Sequence, residues 1–130
     1  MLVWKTSAII LVVIVGAAGV IGYIYYSETQ KSSLVEISKQ SIKVRDYLTQ
    51  HPKATYEINK LYLTADGIAY SVYDNWGVDK FVGSVGEPTD GKEHYCWVVR
   101  WHDPTSTIMS RVNVFIDKNS LQIALVEEIV

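Results

Sequence analysis

The chain has 130 residues, of which 48% are hydrophobic and 20% charged, which excludes a disordered protein and suggests one folded domain. The formal net charge of −2 is too small and of the wrong sign for a nucleic-acid-binding protein. The single cysteine, Cys96, excludes an intrachain disulfide within these residues and leaves the redox compartment open.

The first predicted element is a membrane helix over residues 7–26. The segment reads SAIILVVIVGAAGVIGYIYY and contains no charged residue. About 20 apolar residues of helix cross a bilayer core of roughly 30 Å, and aromatic residues lie at both ends of the segment, as at membrane interfaces. A cleaved secretory signal is the alternative, but its apolar core is shorter, about 7–15 residues. We therefore predict a tail at 1–6 and a transmembrane signal anchor at 7–26, which makes the chain a single-pass protein of the lipid bilayer.

The orientation of this span rests on the basic residues around it. Lys5 precedes the span, whereas Lys31, Lys39, Lys43 and Arg45 follow it, so a positive-inside count favours a cytoplasmic C-terminus. Those four residues fall in or beside a predicted folded helix, however, and a short tail with one lysine is the usual start of a signal anchor. We expect an extracytoplasmic C-terminal domain, with the cytoplasmic orientation as the alternative.

A polar tether at 27–33 is predicted to join the span to a domain at 34–130. One apolar stripe at helical spacing predicts an amphipathic helix at the start of this domain. The stripe comprises Leu34, Ile37, Ser41, Val44 and Leu48. Ser33 with Glu36 three residues on is typical of a capping box, and Pro52 ends the helix because the residue before a proline disfavours helical backbone.

The rest of the domain is predicted to be antiparallel sheet. Five segments are rich in β-branched and aromatic residues, namely 56–64, 68–75, 94–102, 107–117 and 121–127. Asp66-Gly67 is a hairpin signal, and Asn119 in the last turn can accept a left-handed backbone. Residues 83–93 read as a loop, and 78–82 as a short strand or an edge. The predicted fold is α+β: an N-terminal transmembrane helix, then one amphipathic helix packed on a largely antiparallel sheet of about five strands.

The stretch HYCWVVRWHD, residues 94–103, collects most of the side chains that carry chemistry. Alternation along a strand places Tyr95, Trp97, Val99 and Trp101 on one face and His94, Cys96, Val98, Arg100 and His102 on the other. We expect the first face to be the core side and the second to face water or a partner. A metal site would lack ligands, since His102 lies ~26 Å from His94 along the strand. Cys96 as a nucleophile would need an oriented base and a pocket, which a flat strand does not offer.

The closing stretch VNVFIDKNSLQIALVEE, residues 112–128, resembles the final hairpin of PepSY-type domains. In that family a strand ends in Val/Ile-Asp, here Ile116-Asp117, and a short turn leads into a hydrophobic strand. A helix followed by an antiparallel sheet is also similar to their cystatin-like layout. The usual Thr-Gly of the turn is Asn119-Ser120 here, and the segment 76–93 is long. The resemblance implies a small membrane-anchored domain that restrains peptidases or modulates cell-envelope enzymes, and it transfers no site residue.

These observations favour a non-enzymatic protein whose small domain binds or modulates another protein at the cell envelope. We expect no cofactor, metal or small-molecule substrate, and a protein-contact surface at Trp76, His94, Arg100 and His102. The alternative is an accessory subunit of a larger membrane complex, held mainly by its span through the small residues Gly16, Gly19 and Gly22. An enzyme or a metal protein is the third hypothesis.

Overall fold

The computed structural model describes residues 28–130. The predicted tail at 1–6 and transmembrane anchor at 7–26 lie outside the described residues. Within 28–130 no helix is long and apolar enough to cross a membrane. Leu34–Val130 form one compact unit of the chain.

Two helical segments precede the sheet where the sequence predicts one. Residues 28–38 are helical (α1), and helix α2 runs over Ile42–Gln50. The predicted N-cap at Ser33 is wrong, because residues 28–33 are already helical, so this polar segment joins the helix. The predicted end is confirmed, since His51 is the C-cap of α2 and Pro52 follows it.

The break between the helices lies at residues 39–41 and has a local cause. Gln40 N–H donates to the carbonyl of Ile37 and Ser41 N–H to that of Ser38, which are the tight bonds of a 3₁₀ turn. The hydroxyl of Ser38 donates to the carbonyl of Val35 at 2.7 Å, and this carbonyl also accepts the last ladder bond of α1, from Lys39 N–H at 3.1 Å. Ser41 then adopts extended backbone and begins α2.

The sheet has six antiparallel strands rather than about five. They are β1 Thr55–Leu63, β2 Ile68–Val72, β3 Val78–Ser84, β4 His94–His102, β5 Arg111–Asp117 and β6 Ile123–Ile129, in the spatial order β3-β2-β1-β4-β5-β6. The predicted antiparallel arrangement is confirmed. The sixth strand is β3, an edge strand, at the position where the sequence indicates a short strand or an edge. Nearly all its residues are exposed, so it lacks the alternation by which a half-buried strand is found.

The helices cover one face of the sheet, which we call the helix face. It carries the odd-numbered residues of β4, and its core unites Val99 and Trp101 with Val112 and Val114 of β5 and Val44 of α2. The Trp101 indole N–H donates to the Ser38 hydroxyl at 2.9 Å, so the polar atoms buried at this contact are paired. The expectation that the odd residues form the core side is right for Val99 and Trp101. It is wrong for Tyr95, which is exposed.

The opposite face, which we call the groove face, is also partly buried, contrary to the expectation that it faces water. Cys96 is fully buried and Val98 almost so, and both pack with Leu63 and Phe115 in a second core. The cover is the loop that follows β3. Val85 N–H donates to the carbonyl of Gly67, and Thr89 N–H donates to that of Ala124 on β6, so the loop crosses this end of the face.

Gly67 is the residue that lets the loop approach so closely. Its φ of +86° is in the left-handed region, and a Cβ there would lie 2.5 Å from the carbonyl carbon of Gly86. The Asp66-Gly67 hairpin predicted from the sequence is confirmed by the antiparallel pairing of β1 with β2. The predicted left-handed Asn119 is wrong, because Leu121 holds that conformation in the last turn.

Replacing Ser38 with alanine tests the buried contact between α1 and the sheet. Ser38→Ala leaves the Trp101 indole N–H buried without its acceptor, which costs about 1–3 kcal/mol of unfolding free energy. Urea denaturation of the purified protein measures this as a lower midpoint with an unchanged slope. Ser41→Ala is the matched control, since Ser41 makes no side-chain capping hydrogen bond, and it should stay within about 0.5 kcal/mol of wild type. Equal losses in the two variants would contradict the assigned role of Ser38.

Candidate functional site

The four side chains predicted to form a contact surface do not lie together. Trp76 belongs to the turn between β2 and β3 and contacts Trp97, on the helix face. His94, Arg100 and His102 share the groove face, as strand alternation predicts, but they sit at different points along β4. The fold therefore presents separate candidate surfaces on its two faces.

An aromatic surface occupies the part of the helix face around β2, β1 and the start of β4. It comprises Tyr62, Tyr70, Trp76, Phe81, Tyr95 and Trp97. The strand registers bring these rings together, because Tyr62 lies opposite both Tyr70 and Tyr95, and Tyr70 lies opposite Phe81. The centroids of Tyr62 and Tyr95 are 4.8 Å apart, and those of Trp76 and Trp97 are 5.1 Å apart at an interplanar angle of 89°.

Two lysines stand over these rings. The Lys60 ammonium lies 4.9 Å from the centroid of Trp76 and 5.3 Å from that of Trp97. The Lys118 ammonium lies 4.7 Å from the centroid of the same Trp76 ring. All three distances fall within the range of a cation–π contact. The surface thus combines flat apolar area with positive charge.

Trp76 is held in this position by an uncommon backbone. Its φ is +69°, and its N–H donates to the carbonyl of Tyr73 at 2.9 Å. The following Gly77 N–H donates to the side chain of Asn75 at 3.0 Å. A tryptophan in left-handed backbone is costly, and such residues cluster at functional sites. The sequence singled out Trp76 but not its lysines, because Lys60 and Lys118 are distant in the chain.

A polar ladder crosses the groove face near its middle. Arg100 Nε donates to the Asn113 side-chain oxygen at 3.1 Å, and Asn113 donates to Glu127 at 2.8 Å. Arg100 also lies 3.7 Å from the carboxylate of Glu57. Four strands thus contribute one residue each, and Arg100 is committed to neighbours on both sides.

His94 is clamped between two carboxylates at the end of the groove face. Its Nδ1 lies 2.7 Å from Asp117 and its Nε2 2.8 Å from Asp90. Only an imidazolium can donate from both ring nitrogens at once. Partial burial would lower the pKa of His94, but the hydrogen bonds to Asp117 and Asp90 outweigh it and raise that pKa. The clamp ties the loop before β4 to the turn after β5.

Asp117 makes most of the side-chain hydrogen bonds that hold the turn after β5. Its other oxygen accepts the backbone N–H of Asn119 and of Ser120, both at 2.8 Å. Burial would raise the pKa of Asp117, but the bond from His94 and these backbone bonds lower it to about 2. Asp117 stands out in the sequence as part of a hairpin motif, and the structure shows the contacts that the residue makes.

The environment of the Cys96 thiol disfavours its reactive thiolate form. Cys96 is fully buried, and burial first, then the charge of Asp117, raise the pKa of its thiol to about 12. A nucleophilic cysteine needs the opposite shift. Among residues 28–130 no three His, Cys, Asp or Glu side chains gather as metal ligands do. The His94 ring nitrogens are already engaged by Asp90 and Asp117.

The fold and these surfaces define a small α+β domain with two helices packed on one side of a six-stranded antiparallel sheet. Comparisons with protein-family models, with curated proteins and with solved structures returned no match. The resemblance to PepSY-type domains therefore stays a prediction.

The His94 clamp predicts a pH dependence of stability in the neutral to alkaline range. The pKa of His94 exceeds its ordinary value of 6.5 in the folded chain, so the folded state holds the proton more tightly than the unfolded state. The contribution is complete below about pH 6.5 and is lost as the pH rises through the raised pKa. We expect wild type to lose about 1 kcal/mol or less relative to His94→Gln over this range, because the pair is partly exposed.

Urea denaturation at a series of pH values measures this difference. Asp117→Asn should reduce the same alkaline loss, since it removes one of the two carboxylates that hold the imidazolium and leaves Asp90 in place. It should also remove an acid loss, because the Asp117 contribution disappears as the pH falls from 3.8 towards about 2. A wild-type and a His94→Gln profile that stay parallel from about pH 6 to about pH 9 would show that the clamp does not titrate.

Proposed function

We propose that the protein is a non-enzymatic, single-pass membrane protein whose α+β domain binds another protein at the cell envelope through the aromatic surface. The observation that carries this proposal is the set of rings that the helices leave exposed. Phe81 is 64% exposed and Tyr95 39% exposed. Exposed apolar area of this kind marks interaction sites, and aromatic residues dominate the binding energy of protein interfaces.

The positive charge on the aromatic surface indicates the chemistry of the partner. Lys60 and Lys118 both project over Trp76, so an acidic segment with apolar side chains would satisfy the rings and the ammonium groups together. Attachment of a partner strand to β3 is less favourable. Register shifts interrupt the pairing of β3 with β2, and irregular edges resist strand addition.

The membrane part of the proposal rests on the sequence. Residues 7–26 have the length and apolar character of a span, and we place the domain outside the cytoplasm. The β5–β6 hairpin with Asp117 at its turn is consistent with the PepSY-type resemblance, which is the basis for proposing modulation of envelope enzymes. In this proposal the domain modulates an envelope enzyme by binding to it, without catalysing a reaction itself.

Site-specific photo-cross-linking tests the contact surface. A photo-reactive aromatic amino acid replaces Phe81 in the cells that make the protein, and the same replacement at Ile42 is the control. Ile42 is 65% exposed and lies on α2, away from the aromatic rings. We expect a discrete adduct from position 81 and none from position 42. Equal adducts from both positions, or none from either, would contradict the proposal.

The charge on the surface is tested in the same assay. Lys60→Glu with Lys118→Glu should reduce the adduct from position 81 by about ten-fold or more, because an acidic partner is then repelled. Trp76→Ala should also reduce it while the protein remains folded, as judged by its thermal unfolding. Lys43→Glu, on an exposed part of α2, is the matched control and should leave the yield unchanged. A yield indifferent to Lys60 and Lys118 would rule out an acidic partner.

A tag after Val130 tests the topology. If the domain lies outside the cytoplasm, protease or antibody reaches the tag on intact cells. If the tag is protected until the cells are lysed, the positive-inside count is right and the domain faces the cytoplasm. The envelope assignment would then be wrong, while the cross-linking result would keep its meaning.

A further inference from the structure

A cavity of about 240 Å³ opens on the groove face at the end of β4 that lies opposite the His94 clamp. Its wall includes Arg100, His102, Ser110 and Arg111. His102 and Arg111 are directly paired across β4 and β5, which places their side chains next to each other on one face. Ser110 precedes Arg111 in the chain and lines the same cavity.

All three side chains keep a buried polar atom without a hydrogen-bond partner in the described part of the chain. These atoms are His102 Nδ1, Ser110 Oγ and Arg111 Nε. Buried polar atoms are paired in the great majority of cases, because leaving one unpaired costs about 1–3 kcal/mol. Three residues that keep such atoms line one cavity, which points to a site for a ligand that supplies the missing hydrogen-bond partners.

The charged side chains around the cavity indicate the sign of the ligand's charge. Glu57 lies 3.7 Å from Arg100, and Asp103 accepts from Thr105 and lies 3.2 Å from His51. Both acids of the wall therefore have partners. Arg111 forms no ion pair within residues 28–130. Its guanidinium is the unmatched charge, so the missing partner is an anion.

The same two acids limit the charge of the ligand. Glu57 and Asp103 line the cavity and would repel a dianion such as phosphate, whereas a single negative charge balances Arg111. A guanidinium matches the two oxygens of a carboxylate in a bidentate pair. Serine and neutral histidine can add O–H and N–H donors.

An apolar group attached to the carboxylate has a place to lie. A second cavity of about 220 Å³ shares Arg100 and Arg111 with the first and is lined by Leu61, Val98 and Phe115. Each cavity is smaller than a typical drug-sized pocket of about 300–1,000 Å³, so the ligand is small. We propose that Arg111, with His102 and Ser110, binds a monoanionic carboxylate that carries a short apolar group.

Such a carboxylate has two sources, a free small acid or the C-terminus of a peptide chain. The probe for a free acid is 4-methylpentanoate, and the probe for a peptide C-terminus is N-acetyl-leucine. The uncharged primary amide of each acid is its control. Titrations of the full chain in lipid nanodiscs are followed by the amide NMR signals of residues 102–111. We expect at least one acid to bind with a Kd on the order of 0.1–1 mM and its amide at least about ten-fold more weakly. The tighter acid identifies the source.

Arg111→Met tests the site against a purely structural role of the arginine. The variant should weaken acid binding by about ten-fold or more while raising the unfolding temperature of the ligand-free protein, because it removes an unmatched charge. Arg45→Met, on an exposed part of α2, is the control and should bind as wild type does. Equal binding of acid and amide, retained binding in Arg111→Met, or no binding of either acid up to about 10 mM would overturn the proposal. The site is independent of the aromatic surface, so these outcomes leave the cross-linking test intact.

Discussion

The pairing of β1 with β4 is the constraint on which the rest of the molecule depends. These are the two longest strands, and they pair without interruption from Thr55–His102 to Leu63–His94. This register sets Lys60 opposite Trp97 on the helix face and Glu57 opposite Arg100 on the groove face. A slip of one residue would exchange the two faces, so the aromatic surface and the polar ladder would both be lost.

Local periodicity was enough to predict most helices and strands. It was not enough to predict which segments cover the two faces of the sheet. The apolar stripe at helical spacing correctly predicted α2, and Asp66-Gly67 correctly predicted the first hairpin, because both patterns are local in the chain. The burial of Cys96 depends instead on the loop after β3, where Thr89 reaches the carbonyl of Ala124, 35 residues further along the chain. The left-handed residue of the last turn was misplaced for a different, local reason. The Asp117 side chain binds the N–H groups of Asn119 and Ser120, and the turn is completed at Leu121.

The residues of the candidate sites were recognisable by type, and their partners were not. Strand alternation correctly put His94, Arg100 and His102 on one face, yet each has a different environment. His94 is engaged by Asp90 and Asp117, and Arg100 by Asn113 and Glu57, whereas His102 faces Arg111 across the strands. These neighbours come from other strands and loops, so only the register of the sheet reveals them.

The two faces meet in the turn after β5. Asp117 holds His94 from the groove face, and the next residue, Lys118, places its ammonium over Trp76 on the helix face. The backbone N–H of Lys118 donates to the carbonyl of Tyr95 at 2.8 Å, which fixes this crossing point against β4. A protonated His94 therefore restrains the turn that carries one of the two cations of the aromatic surface. Loss of that proton removes a restraint on Lys118 but none on Lys60, whose strand is paired on both sides. Trp76 itself is held separately by its own turn, so the clamp adds a restraint on the cation and not on this ring.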